Sequence, residues 1–362
     1  MNTRREYYVT PDGSVVTPQG DVVFFSTDRF KRDICAGECC FICGIHPDKA
    51  DFNDEHVIPD WVLRELDMHS STISLANGVT YRYDRYKIPC CVRCNAMLGE
   101  RVEDPVSAII KGGMRAIAEH LRDNGPWLLF IWLTLLFLKT HLRDRGFRWH
   151  LDARQGTLPI SEAYDWEELH HIHCIARAFF AEPELDIKAM GSFFAFPASL
   201  DGPFEEFDYG DMYLHRAVCF RFRDAAMVCI LNDSCACFSL EKDRLFTRIK
   251  GPLSPLQIRE VMTRLGYLNL LIKKRPRFHS EFIDGSYRIS ATHPDKIEVN
   301  EWDPKEYGRA LNFACAGQLD RCRNPDIETI KEHVQNGRYT FLFDQNGDFI
   351  NKQMLSVSEG DA

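Results

Sequence analysis

The sequence predicts an α+β fold, a short metal-stapled segment followed by a larger domain of helices and antiparallel strands. Three observations carry this. Two Cys-x-x-Cys pairs, Cys40/Cys43 in CFIC and Cys91/Cys94 in CVRC, bracket a segment too short to fold on its own core. Helical spacing of apolar residues recurs further on, as in Ile258, Val261, Met262, Leu265 and Leu268. Between residues 191 and 240 the text changes to strand-like runs (SFFAFP, LHRAVCFRF, AAMVCIL and CACFSL) separated by turn residues, the pattern of an antiparallel meander.

Bulk properties narrow the classes. A chain of 362 residues has room for two or three domains, and 45% hydrophobic with 27% charged residues is ordinary globular composition. The net charge of -9 excludes a protein that coats nucleic acid by bulk electrostatics, so nucleic-acid contact would rest on local basic patches. Fourteen cysteines in a long chain that begins MNTRREYY, without an apolar signal core, point to a reducing, cytoplasmic compartment. The run Trp127 to Leu138, WLLFIWLTLLFL, falls short of the roughly 20 residues that span a bilayer, so it is expected as a buried core helix without membrane contact.

Taken in order, residues 1–30 alternate short runs (SVVT, VVFF) with Pro11-Asp12-Gly13 and Pro18-Gln19-Gly20-Asp21, which predicts an N-terminal β-hairpin. Pro59 rigidifies the exit from Asp54-Glu55-His56-Val57-Ile58 and biases Ile58 to extended backbone. A helix is expected over about 60–67, with Asp60 as N-cap and Trp61, Leu63 and Leu66 as apolar positions. Asn77-Gly78 offers a hairpin turn with Val79-Thr80-Tyr81 as one arm. From Tyr81 to Lys87 aromatic and charged residues alternate as in a ribbon. Asp104-Pro105 reads as a helix start, and Gly112-Gly113 as the end of that helix and a domain boundary. The apolar helix should end in a solvated basic cluster of Lys139, His141, Arg143, Arg145 and Arg148 beside its C-terminal dipole.

Further on, His170 and His171 point about 100° apart on a helix and make a poor metal pair. Cys235 and Cys237 alternate across an expected strand. Ser254-Pro255 starts a helix to about Leu271, which leads into the basic run Lys273-Lys274-Arg275-Pro276-Arg277. Helices at about 303–318 and 325–336 follow, then a hairpin turning at Asn346-Gly347. The expected domains are 1–30, 31–111, 112–355 and a disordered tail at 356–362.

Paired thiolates at a two-residue gap suit a tetrahedral zinc, because both sulfurs of a pair reach one ion at about 2.3 Å. Cys39 and Cys90 adjoin the proposed ligands and either could replace its neighbour; the regular spacing favours Cys40 and Cys91. Most of the remaining cysteines should pack as small hydrophobes.

Inside this staple lies the acid–His dipeptide Glu55-His56, and the second pair runs directly into Asn95. That order resembles the HNH or ββα-metal (His-Me finger) endonucleases, in particular their recombination endonuclease VII-type fingers with a structural zinc. The resemblance covers roughly a fifth of the chain. It implies a ββα-metal finger over 31–111, with His56 as general base and Glu55 and Asn95 as ligands of a catalytic Mg²⁺ or Mn²⁺. It also implies structural zinc on Cys40, Cys43, Cys91 and Cys94. Two residues depart from the family pattern, Tyr86 where the central Asn stands and Glu55 where Asp is commoner. The 39 residues from His56 to Asn95 exceed the usual separation, which implies an insertion at about 60–80.

The functional reading is a metal-dependent endonuclease that hydrolyses phosphodiester bonds of nucleic acid, with DNA favoured over RNA. Arg82, Arg85 and Lys87 beside the catalytic loop, and Arg275 and Arg277 in the basic run, are the expected phosphate contacts. The rival is a zinc-stapled nucleic-acid- or protein-binding module without catalysis, in which His56 packs and Glu55 is a solvated acid. By analogy, such a finger on a large additional domain resembles bacterial host-defence effectors and mobile-element nucleases, with the remainder gating or targeting it, and a regulatory protein partner or homo-oligomer left open.

Overall fold

Short β-branched pairs between turn glycines open the chain. In the computed structural model, which describes residues 6–75, 77–152, 154–200, 206–322 and 324–351, these pairs are β1 (Tyr8–Val9), β2 (Val15–Val16) and β3 (Val22–Phe24). They form an antiparallel meander in that order, one strand more than a hairpin. Helix α1 (Thr27–Arg29) is capped by the Ser26 hydroxyl and runs into a π-type turn over Phe30–Cys35. The first Cys pair then closes on itself, with the Gly44 N–H donating to Cys40 O at 2.8 Å. Gly44 has φ +72° and backs onto the Phe25 ring, where a Cβ would sit 2.6 Å from Cζ, so only glycine fits.

The next strand, β4 (Phe52–His56), leads to α2 (Asp60–Glu65) and to a hairpin of β5 (Thr72–Ser74) and β6 (Thr80–Arg82) turning at Asn77–Gly78. Asp60 is not the cap of α2: Pro59 holds that position, and the Asp60 carboxylate pairs with Arg64 and His69 instead. The expected ribbon from Tyr81 to Lys87 is also corrected. A 3₁₀ turn over Tyr83–Arg85 interrupts it and buries Tyr83 and Tyr86, whose three-residue separation places both on one side of such a turn.

The chain returns in β7 (Lys87–Cys91), antiparallel to β4, and passes directly into α3 (Val92–Leu98). Rather than starting at Asp104, the following helix continues from α3 through a π-type turn (Gly99–Glu103) into α4 (Asp104–Lys111). The Asp104 N–H donates to Gly99 O, a wide turn just where Pro105 cannot supply a donor of its own. A break at Gly113, φ +72°, separates α4 from α5 (Gly113–Asn124), and α6 (Trp127–Asp144) follows. No single helix among the described residues is long and apolar enough to cross a membrane.

Next come α7 (His170–Ala176), α8 (Ala178–Ala181) and β8 (Glu184–Leu185). The expected meander is β9 (Ser192–Pro197), β10 (Phe207–Met212), β11 (Ala217–Phe222) and β12 (Ala225–Ile230), antiparallel in the order β10-β11-β12-β9. CACFSL is a correction, because it forms α9 (Ala236–Glu241) rather than a fifth strand. Asp233 accounts for this: its carboxylate accepts from the Cys237 N–H at 2.8 Å and its carbonyl from the Ala236 N–H at 3.0 Å, so a presumed strand turn caps a helix. Helix α10 (Pro255–Leu271) carries the capping box expected of Ser254-Pro255, with Gln257 as its reciprocal partner. Strands β13 (Arg277–Ile283) and β14 (Ser286–Thr292) pair with each other, and β14 also pairs with β8; α11 (Pro304–Leu319) and α12 (Ile327–Gln335) follow, and the chain then turns back at Asn346-Gly347 with Phe343 bridging Phe349. The tail at 356–362 lies outside the described residues.

Contacts divide the chain into two units. The first comprises Met1–Ser107, Thr134–Asp186 and Phe278–Ser290, and the second Ala108–Leu133, Ile187–Arg277 and Ala291–Ala362. The first crossing falls close to Gly112, but the chain re-enters the first unit twice, so residues 31–111 are only part of it. In the second unit the apolar face of α10 (Ile258, Val261, Met262, Leu265) packs on Ala217, Cys219, Val228 and Ile230 of the meander. Its opposite side, Leu256 and Tyr267, packs on Tyr307 and Leu311 of α11, which explains a helix buried nearly all round.

Candidate active site and metal centre

The first unit gathers four thiols at one point. The Sγ atoms of Cys40, Cys43, Cys91 and Cys94 all lie within 4.8 Å of one another, and they can hold one zinc ion. The Cys43–Cys91 separation of 3.8 Å is the edge expected of a tetrahedron with Zn–S bonds of about 2.3 Å. Cys91 ends β7 and Cys94 lies in the first turn of α3, so the staple ties the β4–β7 pair and α3 to the Cys40 loop. Cys39 is not among the four; Cys90 lies 3.8 Å from Cys40 without joining them. Hydrogen bonds from Cys43, Cys90 and Cys94 hold the Cys40 thiol low, which favours at Cys40 the thiolate form that binds zinc. Buried Arg177 braces the loop from behind, donating to Ile42 O, to Val23 O at 3.0 Å and to Val22 O at 2.5 Å.

The same strand pair carries the predicted catalytic residues. His56 is the last residue of β4, directly opposite Lys87 of β7, and Glu55 stands opposite Ile88. Asn95 on α3 reaches back to β4, where its Nδ2 donates to Asn53 Oδ1 at 2.9 Å, two residues before Glu55 on the same strand face. His56 Nδ1 faces Asp60 Oδ1 at 3.9 Å, and Asp60 also meets His69 Nε2 at 3.0 Å. Burial and then the Lys87 charge push the His56 pKa down, against the opposing pull of Asp60 and Glu55, so the neutral imidazole is favoured.

Glu55 is neither solvated nor alone. Lys139 of α6 is completely buried, and its Nζ donates to Glu55 Oε1 at 2.8 Å and to His56 O at 2.9 Å. Glu103, at the end of the π-type turn, places Oε1 3.7 Å from the same Nζ, and its other oxygen accepts from the Trp61 indole at 3.0 Å. Burial works against the Lys139 charge, but Glu55 and Glu103 outweigh it and the pKa rises. This corrects the reading of Lys139 as part of a solvated helix end. His141 is buried as well, and Arg145 donates to Ile34 O at 2.8 Å and Gly37 O at 2.6 Å. Sequence reasoning missed Lys139, Glu103, Trp61, Asp60 and His69 as site residues. Lys139 did leave a signal: it continues the buried spacing of Leu135, Leu136 and Leu142.

Tyr86, at the position where the family pattern has asparagine, makes two bonds to other elements. Its backbone carbonyl accepts from the Val57 N–H at 2.9 Å, directly after His56, and its hydroxyl donates to Asp144 Oδ1 of α6 at 2.6 Å. The insertion expected at about 60–80 contains α2 and the β5–β6 hairpin.

Of the basic residues, Lys87 lies beside His56, and Arg85 is exposed in the turn that precedes β7. Arg82 is drawn into an ion pair with Asp84 at 2.5 Å. Arg275 and Arg277 belong to the second unit, where the Arg275 guanidinium holds Asn269 O at 2.7 Å and Asn232 O at 3.1 Å. Among the histidines, His170 bonds Phe25 O at 2.7 Å and His173 stacks on Phe30 at 4.5 Å, which serves packing. Comparison with protein-family models, curated proteins and solved structures finds no match to this chain.

Proposed function

We propose that the protein is a metal-dependent endonuclease whose catalytic part is a zinc-stapled ββα-metal finger, hydrolysing phosphodiester bonds, with DNA the favoured substrate. One observation supports the reading: a strand–strand–helix unit closed by four cysteines carries Glu55 and a neutral-leaning His56 at the end of one strand, with Asn95 of its helix bonded back to that strand. His56, with Nδ1 toward Asp60, offers Nε2 to take a proton from water as the water oxygen attacks phosphorus and the P–O bond to the leaving group breaks. The donor set, a carboxylate from Glu55 and an amide oxygen from Asn95, fits a hard divalent cation. Such an ion supplies charge against the crowded phosphorus and the leaving oxygen when bound. Lys87, opposite His56, and the exposed Arg85 of the preceding turn provide phosphate contacts, and the second unit gates or targets the cut. A cytoplasmic host-defence effector fits this division by analogy.

Cleavage of supercoiled plasmid with Mg²⁺ or Mn²⁺ tests the reading. His56→Ala should keep fold and zinc but lose about 10²- to 10⁴-fold in rate. Full activity of a folded, nuclease-free His56→Ala preparation would remove the mechanism. A wild-type protein that binds nucleic acid yet never cuts it under either metal would leave a zinc-stapled binding module.

A further inference from the structure

The buried Lys139 gives the site a cation of its own. Its ammonium is completely enclosed, so it cannot move out into water, and it needs a carboxylate wherever it sits. Two are within reach, Glu55 at 2.8 Å and Glu103 at 3.7 Å, while the bond to His56 O at 2.9 Å tethers Nζ between them. Glu103 is itself held by the Trp61 indole at 3.0 Å. The same Glu55 carboxylate is the one the endonuclease reading needs for a divalent ion. An ammonium on that carboxylate repels a second cation there, the more so because little water screens either charge.

Resting on that reading, we propose that Lys139 passes from Glu55 to Glu103 when a divalent cation engages Glu55. Glu103 thereby sets the cation affinity of the site without being a ligand. The shift needs only a small rotation of the lysine end, and it leaves every buried charge paired. Glu103 and Lys139 are positioning residues, since both act through Glu55. Without Glu103 the ammonium has one carboxylate left, and the divalent cation must displace it with nothing to receive it.

Mn²⁺ binding, followed by calorimetry and by the EPR signal of free Mn²⁺ on full-length, zinc-loaded protein, reads this directly. Glu103→Gln preserves size and the acceptor for Trp61, and should weaken Mn²⁺ about tenfold or more. Adding Lys139→Met to Glu103→Gln should restore affinity to the wild-type level or above. Glu55→Gln should abolish the site. The proposal is overturned if Glu103→Gln binds Mn²⁺ like wild type, or if the wild type binds none beyond zinc. It is equally overturned if the weakening persists in the double variant, which would make Glu103 a ligand. Because binding is measured apart from cleavage, the two readings fail separately. The expected Mn²⁺ pattern without cutting sinks the endonuclease alone, and metal-dependent cutting with affinity unchanged by Glu103→Gln sinks the hand-over alone.

Discussion

Tyr86 and Glu260 show how single buried polar groups decide local behaviour. The Tyr86 hydroxyl donates to Asp144 at 2.6 Å in the interior, so Tyr86→Phe should cost about 1 to 3 kcal/mol in chemical denaturation. Cleavage per folded molecule should fall less than about tenfold, because the backbone bond from Val57 to Tyr86 still steadies the exit from His56. A larger kinetic loss at unchanged stability would assign the hydroxyl a role in the reaction. Glu260, fully buried, accepts from the Thr340 hydroxyl at 2.6 Å and the Phe341 N–H at 2.5 Å, and burial pushes its pKa from 4.5 up to about 7. Its native pKa lies above the unfolded one, so the native state takes up the proton first as pH falls. The penalty of the buried charge is full above about pH 7 and is relieved between pH 7 and 4.5, on the order of 3 kcal/mol. Glu260→Gln should flatten that part of the stability–pH curve relative to wild type. Parallel curves for the two proteins would show that the carboxylate does not titrate there.

Helix α7 ends where Arg177 ties three carbonyls of β3 and the Cys40 loop together, so the loop that carries the first Cys pair is braced by an element far away in sequence. Arg177→Met should lower stability by about 3 kcal/mol and release zinc to a chromogenic chelator faster than wild type. Unchanged release kinetics would show that the cysteines need no such support. Cys94→Ser should lose the ion altogether. At this scale the sequence is readable wherever the instructions are local. Ser254-Pro255 and Asp303-Pro304 announce their helices because cap and first turn are neighbours, and Asn77-Gly78 announces its hairpin. The Cys-x-x-Cys pairs were legible for the same reason. What escaped depends on distant partners. α9 forms because Asp233 caps it and also bonds the Ser192 N–H at 2.7 Å, and Lys139 is buried because Glu55 and Glu103 meet it from other elements.

The first unit as a whole is assembled from three separated pieces of chain. Residues 31–111 look self-contained on paper, yet Lys139, Asp144, Arg145 and Arg177 all come from the stretch Thr134–Asp186. A fragment covering residues 1–111 should therefore fail to fold even with zinc, leaving Glu55 without its buried ammonium and the Cys40 loop without its brace. Amide spectra of that fragment should collapse to unfolded shifts; a dispersed spectrum with bound zinc would show that the finger is autonomous. Coupling of this kind slows folding too, because contacts between residues 55 and 139 cannot form until a long loop closes.

The wide turn between Gly99 and Glu103 is a matter of counting. One residue beyond an α-helical turn fits in there, so everything after it is rotated by about 100° from where an unbroken α3 would have put it. Deleting a single residue from this turn would leave Glu103 chemically intact but facing another way, severed from Trp61 and Lys139. The site is thus encoded partly in chain length, and a relative lacking that one position would need a different residue number, not a different residue type, to carry the same acid.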